Sequence, residues 1–214
     1  MSARVAAKIC GIKTPGALAA AARGQAAFVG LVFHPSSPRA LTLDQGKALR
    51  QAMPREVKAV ALVVDAADDL IARIVAEISP DLFQLHGQES VRRVAEIRER
   101  TNRPVIKALG VARAEDLAAA SAYERVADYL LFDAKPAPGG PAGGAGRSFD
   151  WRLLAGRTFA KPWFLSGGLS AGNVAEAVAV SGARLVDVSS GVERPRGEKD
   201  EGLVAAFLDT VRGL

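Results

Sequence analysis

The run Trp163-Phe164-Leu165-Ser166-Gly167-Gly168-Leu169-Ser170 decides the fold when read with Gly182 and with Leu185-Val186-Asp187-Val188-Ser189-Ser190-Gly191. A short apolar stretch ends in two glycines. Ser170 opens a predicted helix and Gly182 closes it, and a β-branched stretch then ends in Ser-Ser-Gly. Strand, loop, helix and second strand make the unit from which parallel sheets are built.

Outward from this unit the same pattern repeats. Short β-branched or apolar runs stand at Val5–Cys10, Phe28–Phe33, Lys58–Val64, Leu82–Leu85, Val105–Ala108, Tyr129–Phe132, Trp163–Ser166 and Leu185–Val188. Strand starts from Val5 to Leu185 give roughly 26 residues per unit, enough for strand, loop, helix and loop. Helix punctuation agrees. Thr14-Pro15 reads as N-cap and first-turn proline with Gly24 as the stop, and Thr42-Leu43-Asp44-Gln45 matches a capping box. The sixth unit is thin, with a short helical stretch after Trp151. Eight units favour closure, because open doubly wound sheets usually have fewer strands. The predicted architecture is α/β, a (β/α)8 TIM barrel forming a single domain over residues 1–214. The low-complexity stretch Lys135–Arg147 holds three prolines and five glycines. It falls between strand six and its helix, so it reads as a mobile loop on the catalytic face rather than a boundary.

At 214 residues and 49% hydrophobic content the chain can fill a sizeable core. No apolar run approaches the roughly 20 residues that cross a bilayer, and a charge stands where a signal peptide needs its apolar stretch. No membrane partner is expected. A single cysteine cannot form an internal disulfide, which fits a reducing cytoplasm. The net charge of +5 either attracts an anionic ligand or reflects a solvated, arginine-rich surface. Nucleic acid is not expected as a partner, because aromatics are 6% and the arginines are scattered along helices. The sequence leaves monomer and homodimer open.

Active sites of this fold form at the C-terminal ends of the strands. Those ends carry Cys10-Gly11, Ser37-Pro38-Arg39, His86-Gly87, Asp133, Ser166-Gly167-Gly168 and Ser189-Ser190-Gly191. Barrels often hold a phosphate between the loops after strands seven and eight. Gly167 and Gly168 let backbone N–H groups close around an anion, the next helix points its positive end there, and Ser189 and Ser190 add hydroxyls. Ordinary turn glycines are the plainer alternative; the pairing of two such loops favours a phosphorylated small-molecule substrate. Cys10 is either a small buried hydrophobe or a reactive thiol. Asp133 ends an apolar run, where a carboxylate is a structural acceptor or, kept neutral by burial, a proton donor. Arg39 is a bidentate carboxylate grip or a surface charge, and His86 faces the substrate or caps a loop. No His/Cys/Asp/Glu cluster offers a metal site and no Gly-x-Gly-x-x-Gly follows a strand, so no metal or other cofactor is expected.

Taken in order, the pieces resemble phosphoribosylanthranilate isomerase over nearly the whole chain. They are Lys8-Ile9-Cys10-Gly11-Ile12, Ser37-Pro38-Arg39, Gln84-Leu85-His86-Gly87 with Glu89, Phe132-Asp133-Ala134, Gly143-Gly144 through Gly146 and Phe149-Asp150-Trp151. The series continues with Leu165 to Leu169, Asp187 to Glu193, and Lys199-Asp200. Departures are Lys13, where the family often has threonine, Ala145 in its glycine loop, and Arg196 before Gly197. The resemblance implies a cofactor-free barrel of tryptophan biosynthesis. It would convert N-(5-phosphoribosyl)anthranilate to 1-(2-carboxyphenylamino)-1-deoxyribulose 5-phosphate by an Amadori rearrangement. By position it implies Cys10 as general base, Asp133 as general acid, and Arg39 as the holder of the anthranilate carboxylate. The loops at Gly167-Gly168 and Ser189-Ser190-Gly191 would cradle the phosphate. The rival readings are indole-glycerol-phosphate synthase, the histidine-pathway isomerase, and a phosphate-ligand sensor without turnover. The first uses a lysine acid and an N-terminal extension, the second paired aspartates, and the third would not need Cys10 and Asp133 together.

The implied chemistry needs a protonated Asp133 and a Cys10 thiolate. An apolar site helps the first and hinders the second unless a cation is near. Lys8 shares strand parity with Cys10, so it is either buried with Asp187 on strand eight as its candidate partner or snorkels outward to solvent. That pair is expected to favour the thiolate.

Overall fold

The computed structural model describes residues 4–135 and 148–214. Eight parallel strands close on themselves in sequence order: β1 (Ala6–Cys10), β2 (Phe28–Val32), β3 (Lys58–Val63), β4 (Leu82–Leu85), β5 (Val105–Val111), β6 (Tyr129–Ala134), β7 (Trp163–Leu165) and β8 (Leu185–Val188). The expected strands are recovered with ends shifted by a residue or so. The exceptions are β5, three residues longer, and β6, which carries Asp133 inside the strand. The helices are α1 (Pro15–Arg23), α2 (Leu43–Ala52), α3 (Asp68–Ile78), α4 (Val91–Thr101), α5 (Ala120–Tyr123), α6 (Val174–Ser181) and α7 (Glu201–Arg212). Among its described residues the sixth crossover carries the 3₁₀ turn Trp151–Leu154, in keeping with its thin pattern. The glycine-rich loop predicted over Lys135–Arg147 lies outside the described residues beyond Lys135.

Local chemistry explains the helix limits. The Thr14 side chain accepts from Ala17 N–H with Pro15 at the first turn, and Thr42 and Gln45 form the reciprocal capping box. Gly182 ends α6 in the left-handed region at φ 75°. Ser170 does not open α6; that expectation is corrected by one turn. The Asn173 side chain accepts from Ser170 N–H at 2.8 Å and donates to the Gly168 carbonyl at 3.0 Å, folding 170–173 into a turn before the helix starts at Val174.

Alternation along each strand sorts the side chains. Outward residues such as Ile9, Leu31, Val63, Phe83 and Val186 join the large cluster between barrel and helices. Inward, Phe28, Val60, Leu82, Ile106, Leu131 and Phe164 fill the lower barrel, with the Phe28 and Phe164 rings edge-on at 5.3 Å. That apolar plug closes the lower barrel, and the buried polar residues Lys8, Gln84, Asp133 and Asp187 lie above it. Among the described residues no helix is long and apolar enough to cross a membrane.

Candidate active site

Above the plug, Lys8 on β1 pairs in register with Asp187 on β8, and its ammonium lies 2.9 Å from Asp187 Oδ1 with both side chains buried. Ser166 donates to Asp187 Oδ2 at 3.2 Å. The expected partner of Lys8 is therefore the observed one. Cys10 sits one inward position above Lys8, opposite Gly30 of β2. A Cβ on Gly30 would lie 2.8 Å from Cys10 Sγ and 3.2 Å from Lys8 Nζ, so the missing side chain is the space in which thiol and ammonium meet. Sequence reasoning passed over Gly30. A glycine inside an otherwise apolar strand was the available signal.

The pair acts on the thiol in the expected direction but does not prevail. Burial pushes the Cys10 thiol above its ordinary range; the Lys8 ammonium pulls it down, Asp187 pushes it back up, and Lys199 pulls it down again. Burial prevails, so the pair moderates the penalty without reversing it. Burial also works against the Lys8 charge, but Asp187 and Cys10 outweigh it and raise Lys8 above the usual lysine value. Lys199, buried after β8, forms an ion pair with Glu193 and is held below the usual lysine value by its burial.

Ser189 departs from its assignment in one respect. Its hydroxyl donates to the Cys10 carbonyl at 3.1 Å and lies 3.5 Å from Lys199 Nζ, so it braces the strand that carries the thiol. Ser190 starts a 3₁₀ turn, Ser190–Val192. The loops after β7 and β8 do abut: a Cβ on Gly191 would fall 1.9 Å from the Leu169 carbonyl oxygen. Gly168 has φ 68° and its carbonyl is held by Asn173. Gly167, at φ 87°, has another neighbour, since a Cβ there would lie 3.2 Å from Asp133 Oδ1 and 2.8 Å from Ala134 N. Its bareness makes room for the carboxyl group as well as shaping the loop.

Asp133 follows the inward parity of Leu131 and is nearly buried. Its Oδ1 accepts from Ala134 N–H at 2.8 Å, and its Oδ2 is 3.3 Å from His86 Nε2. His86 Nδ1 lies 2.8 Å from Gln84 Nε2. His86 thus stands beside the carboxyl group instead of merely capping its loop. That loop is firmly built. Glu89 accepts from Gly87 N–H and Asp65 N–H, and Lys107, 2.6 Å from Glu89, also donates to the Gly87 carbonyl at 2.8 Å. Burial alone would raise the Glu89 carboxyl; the Lys107 ammonium and the N–H donors overcome it and hold Glu89 below the usual range.

Arg39 is buried at the same rim. Its Nε and Nη2 form a fork on Glu193 at 2.6 and 2.8 Å, and its stem passes over Gly11, where a Cβ would lie 2.6 Å from Arg39 Cδ. The surface alternative is thereby excluded. Burial would raise Glu193, but Arg39, Gly197 N–H and Lys199 hold it low. The rim so gathers Cys10, Arg39, His86, Asp133 and the two glycine loops. Its ion pairs set the cations Lys8, Lys199 and Arg39 against the carboxylates Asp187 and Glu193, a balance that suits an anionic ligand. No metal-binding cluster occurs among the described residues.

Comparison with known proteins agrees with this geometry. Residues 7–210 match the family described as N-(5'phosphoribosyl)anthranilate (PRA) isomerase. The chain is 52% identical to the N-(5'-phosphoribosyl)anthranilate isomerase of Cereibacter sphaeroides over 98% of its length and 100% of the relative's. It is 53% identical to that of Rhodospirillum centenum, covering 97% and 98% of the two chains. Among solved structures, phosphoribosyl anthranilate isomerase from Thermotoga maritima superposes with a TM-score of 0.87 at 32% identity, covering 98% and 100%. A phosphoribosyl anthranilate isomerase in complex with reduced 1-(o-carboxyphenylamino)-1-deoxyribulose 5-phosphate gives a TM-score of 0.84 at 30% identity, with the same coverage. The chain belongs to the N-(5'-phosphoribosyl)anthranilate isomerase family.

Proposed function

We propose that Cys10 and Asp133 carry the proton transfers by which this isomerase of tryptophan biosynthesis rearranges N-(5'-phosphoribosyl)anthranilate. The observation that carries the reading is their placement: both side chains enter the barrel at its C-terminal rim, the thiol over Gly30 and the carboxyl group against His86. Asp133, protonated, gives its proton to the ribose ring oxygen as the C1'–O bond breaks, and the anthranilate nitrogen lone pair forms the C=N bond of a Schiff base. Cys10, as thiolate, takes the C2' proton; the electron pair left behind forms the C1'–C2' double bond and neutralises the iminium. The resulting enolamine tautomerises to the ketone, so substrate and product are isomers and no external oxidant or reductant is needed.

The remaining rim residues bind. Arg39, pre-oriented by Glu193, holds the anthranilate carboxylate. Gly167, Gly168, Ser189, Ser190 and Gly191 supply the phosphate cradle from two abutting loops, Ser189 through its backbone because its hydroxyl is on Cys10 O. His86 lines the sugar side beside Asp133. The phosphate anchors the substrate away from the reacting carbons, so that binding energy is spent on orientation.

The reading extends to a cytoplasmic enzyme, consistent with its single, reduced cysteine. Assembly is as monomer or homodimer; a Thermotoga maritima relative is described as a dimeric phosphoribosylanthranilate isomerase from which monomers were generated. Sedimentation at several concentrations distinguishes the two. The activity itself is tested by generating phosphoribosylanthranilate in situ and following its fluorescence loss on adding the protein. Catalysed loss with formation of the carboxyphenylamino-deoxyribulose phosphate is expected; binding without turnover would restore the sensor reading.

A further inference from the structure

The Asp133 carboxyl group has a backbone donor at one oxygen and an imidazole nitrogen near the other, and that ring has its own support. Ala134 N–H points at Oδ1, and His86 Nε2 lies 3.3 Å from Oδ2. Behind His86, Gln84 Nε2 lies 2.8 Å from Nδ1. Gln84 is fully buried inside the barrel, and its Oε1 has no hydrogen-bond partner among the described residues. The amide orientation therefore has one anchoring contact, the imidazole. An amide N–H aimed at Nδ1 requires a lone pair there, and a neutral ring with a lone pair on Nδ1 carries its proton on Nε2. The opposite orientation would put a proton on Nδ1 and face an Nε2 lone pair toward Asp133 Oδ2, acceptor against acceptor once the carboxylate forms.

We infer that Gln84 and His86 are a positioning pair for the acid: Gln84 locks the Nε2–H tautomer of His86, and that N–H stabilises the Asp133 carboxylate left when its proton passes to the substrate. The inference rests on the assignment of Asp133 as the acid. A contact of 3.3 Å is longer than a charge-assisted hydrogen bond at about 2.7–2.9 Å, so it can tighten as negative charge develops on the oxygen. An interaction stronger after proton transfer than before it is the kind that raises kcat. The pair has the rigidity this requires. Gln84 is on β4, and the following turn is clamped by Glu89 and Lys107 through Gly87. A ring that only touched substrate would need no such buried amide behind it.

The chain has two histidines, His34 and His86, so nitrogen-15 NMR of the imidazoles assigns the tautomer directly. In the intact protein His86 is expected as the Nε2–H form. Gln84→Glu offers a carboxylate to Nδ1 and is expected to move the ring proton there, or to produce the imidazolium, with kcat falling about 100-fold and KM nearly unchanged. Gln84→Met, which adds no buried charge, is expected to lose the single-tautomer signature and about 10-fold in kcat. His86→Asn, able to present an amide N–H, is expected to retain more kcat than His86→Ala. An Nδ1–H tautomer in the intact protein would overturn the inference. So would a folded Gln84→Met with unaltered tautomer, or His86 variants that change KM alone. Retained turnover in Asp133→Asn would instead overturn the acid assignment, a separate result.

Discussion

Lys8 Nζ and Asp187 Oδ1 lie 2.9 Å apart inside the barrel, one layer beneath the Cys10 thiol. The pair puts a cation where a thiolate needs one, yet ties it to an anion that partly cancels it. The thiol is accordingly held above its ordinary range by burial, with Lys8 and Lys199 opposing. Cys10 is the sole thiol of the chain, so alkylation reports on it without ambiguity. Lys8→Met is expected to shift the pH midpoint for iodoacetamide labelling upward, and Asp187→Asn to shift it downward. Unchanged midpoints in both would remove Lys8 and Asp187 from the thiol's electrostatics.

The same pair governs stability. Removing one partner leaves a buried, uncompensated charge, and Lys8→Met is expected to cost about 3–5 kcal/mol. Lys8→Met with Asp187→Leu should recover much of that loss. Urea denaturation of the single and double variants checks this, and a double variant as unstable as the single one would contradict it.

Stability should also fall on both sides of neutrality. Glu89 and Glu193 have folded-state values below the ordinary 4.5, so their contribution is present above that value and is lost as pH falls through the folded values. Lys8 and Cys10 are raised, so theirs is present below the ordinary values and is lost as pH rises through the folded ones. The urea midpoint is expected to decline below about pH 4.5 and again above about pH 9. Glu89→Gln should flatten part of the acid limb while lowering stability at pH 7, because Lys107 is left buried without its carboxylate.

Gly30→Ala probes the space shared by thiol and ammonium. The added methyl would lie 2.8 Å from Cys10 Sγ, closer than real contacts allow, so the thiol must move. Displacement of about 1 Å can cost on the order of 100-fold in turnover, and a loss of that size is expected with the fold retained by circular dichroism. Full activity would show that the thiol is not confined there.

Arg39→Lys keeps the charge and loses the fork. KM is expected to rise about 10- to 100-fold with a smaller change in kcat, and the difference from the parent protein should vanish for an aniline analogue lacking the carboxylate. An equal penalty on both substrates would remove Arg39 from carboxylate binding.

The barrel was legible because its strands are apolar on both faces and separated by helix caps that are local in sequence, such as Thr14-Pro15 and Thr42 with Gln45. The start of α6 was not, because Asn173 reaches back to Ser170 N–H and the Gly168 carbonyl and so competes with Ser170 as the organiser of that turn. Parity and strand adjacency bring Lys8 and Asp187 within reach of each other, while the choice between pairing and outward snorkelling is visible only in the structure. Contacts that depend on loops were out of reach. Glu193 as the fork beneath Arg39, Ser189 on the Cys10 carbonyl, and Gln84 behind His86 require knowing how chain ends and side-chain amides are turned. Gly30 belongs with these, since its use is visible only once Cys10 is known to stand opposite it.

The most direct test of the acid–base assignment is the rate of phosphoribosylanthranilate fluorescence loss for Cys10→Ala and Asp133→Asn beside the parent protein, with folding checked for each. Each variant is expected to lose at least about 100-fold in kcat, the contribution of a positioned acid or base. Near-parental turnover by either folded variant would contradict the role given to that residue.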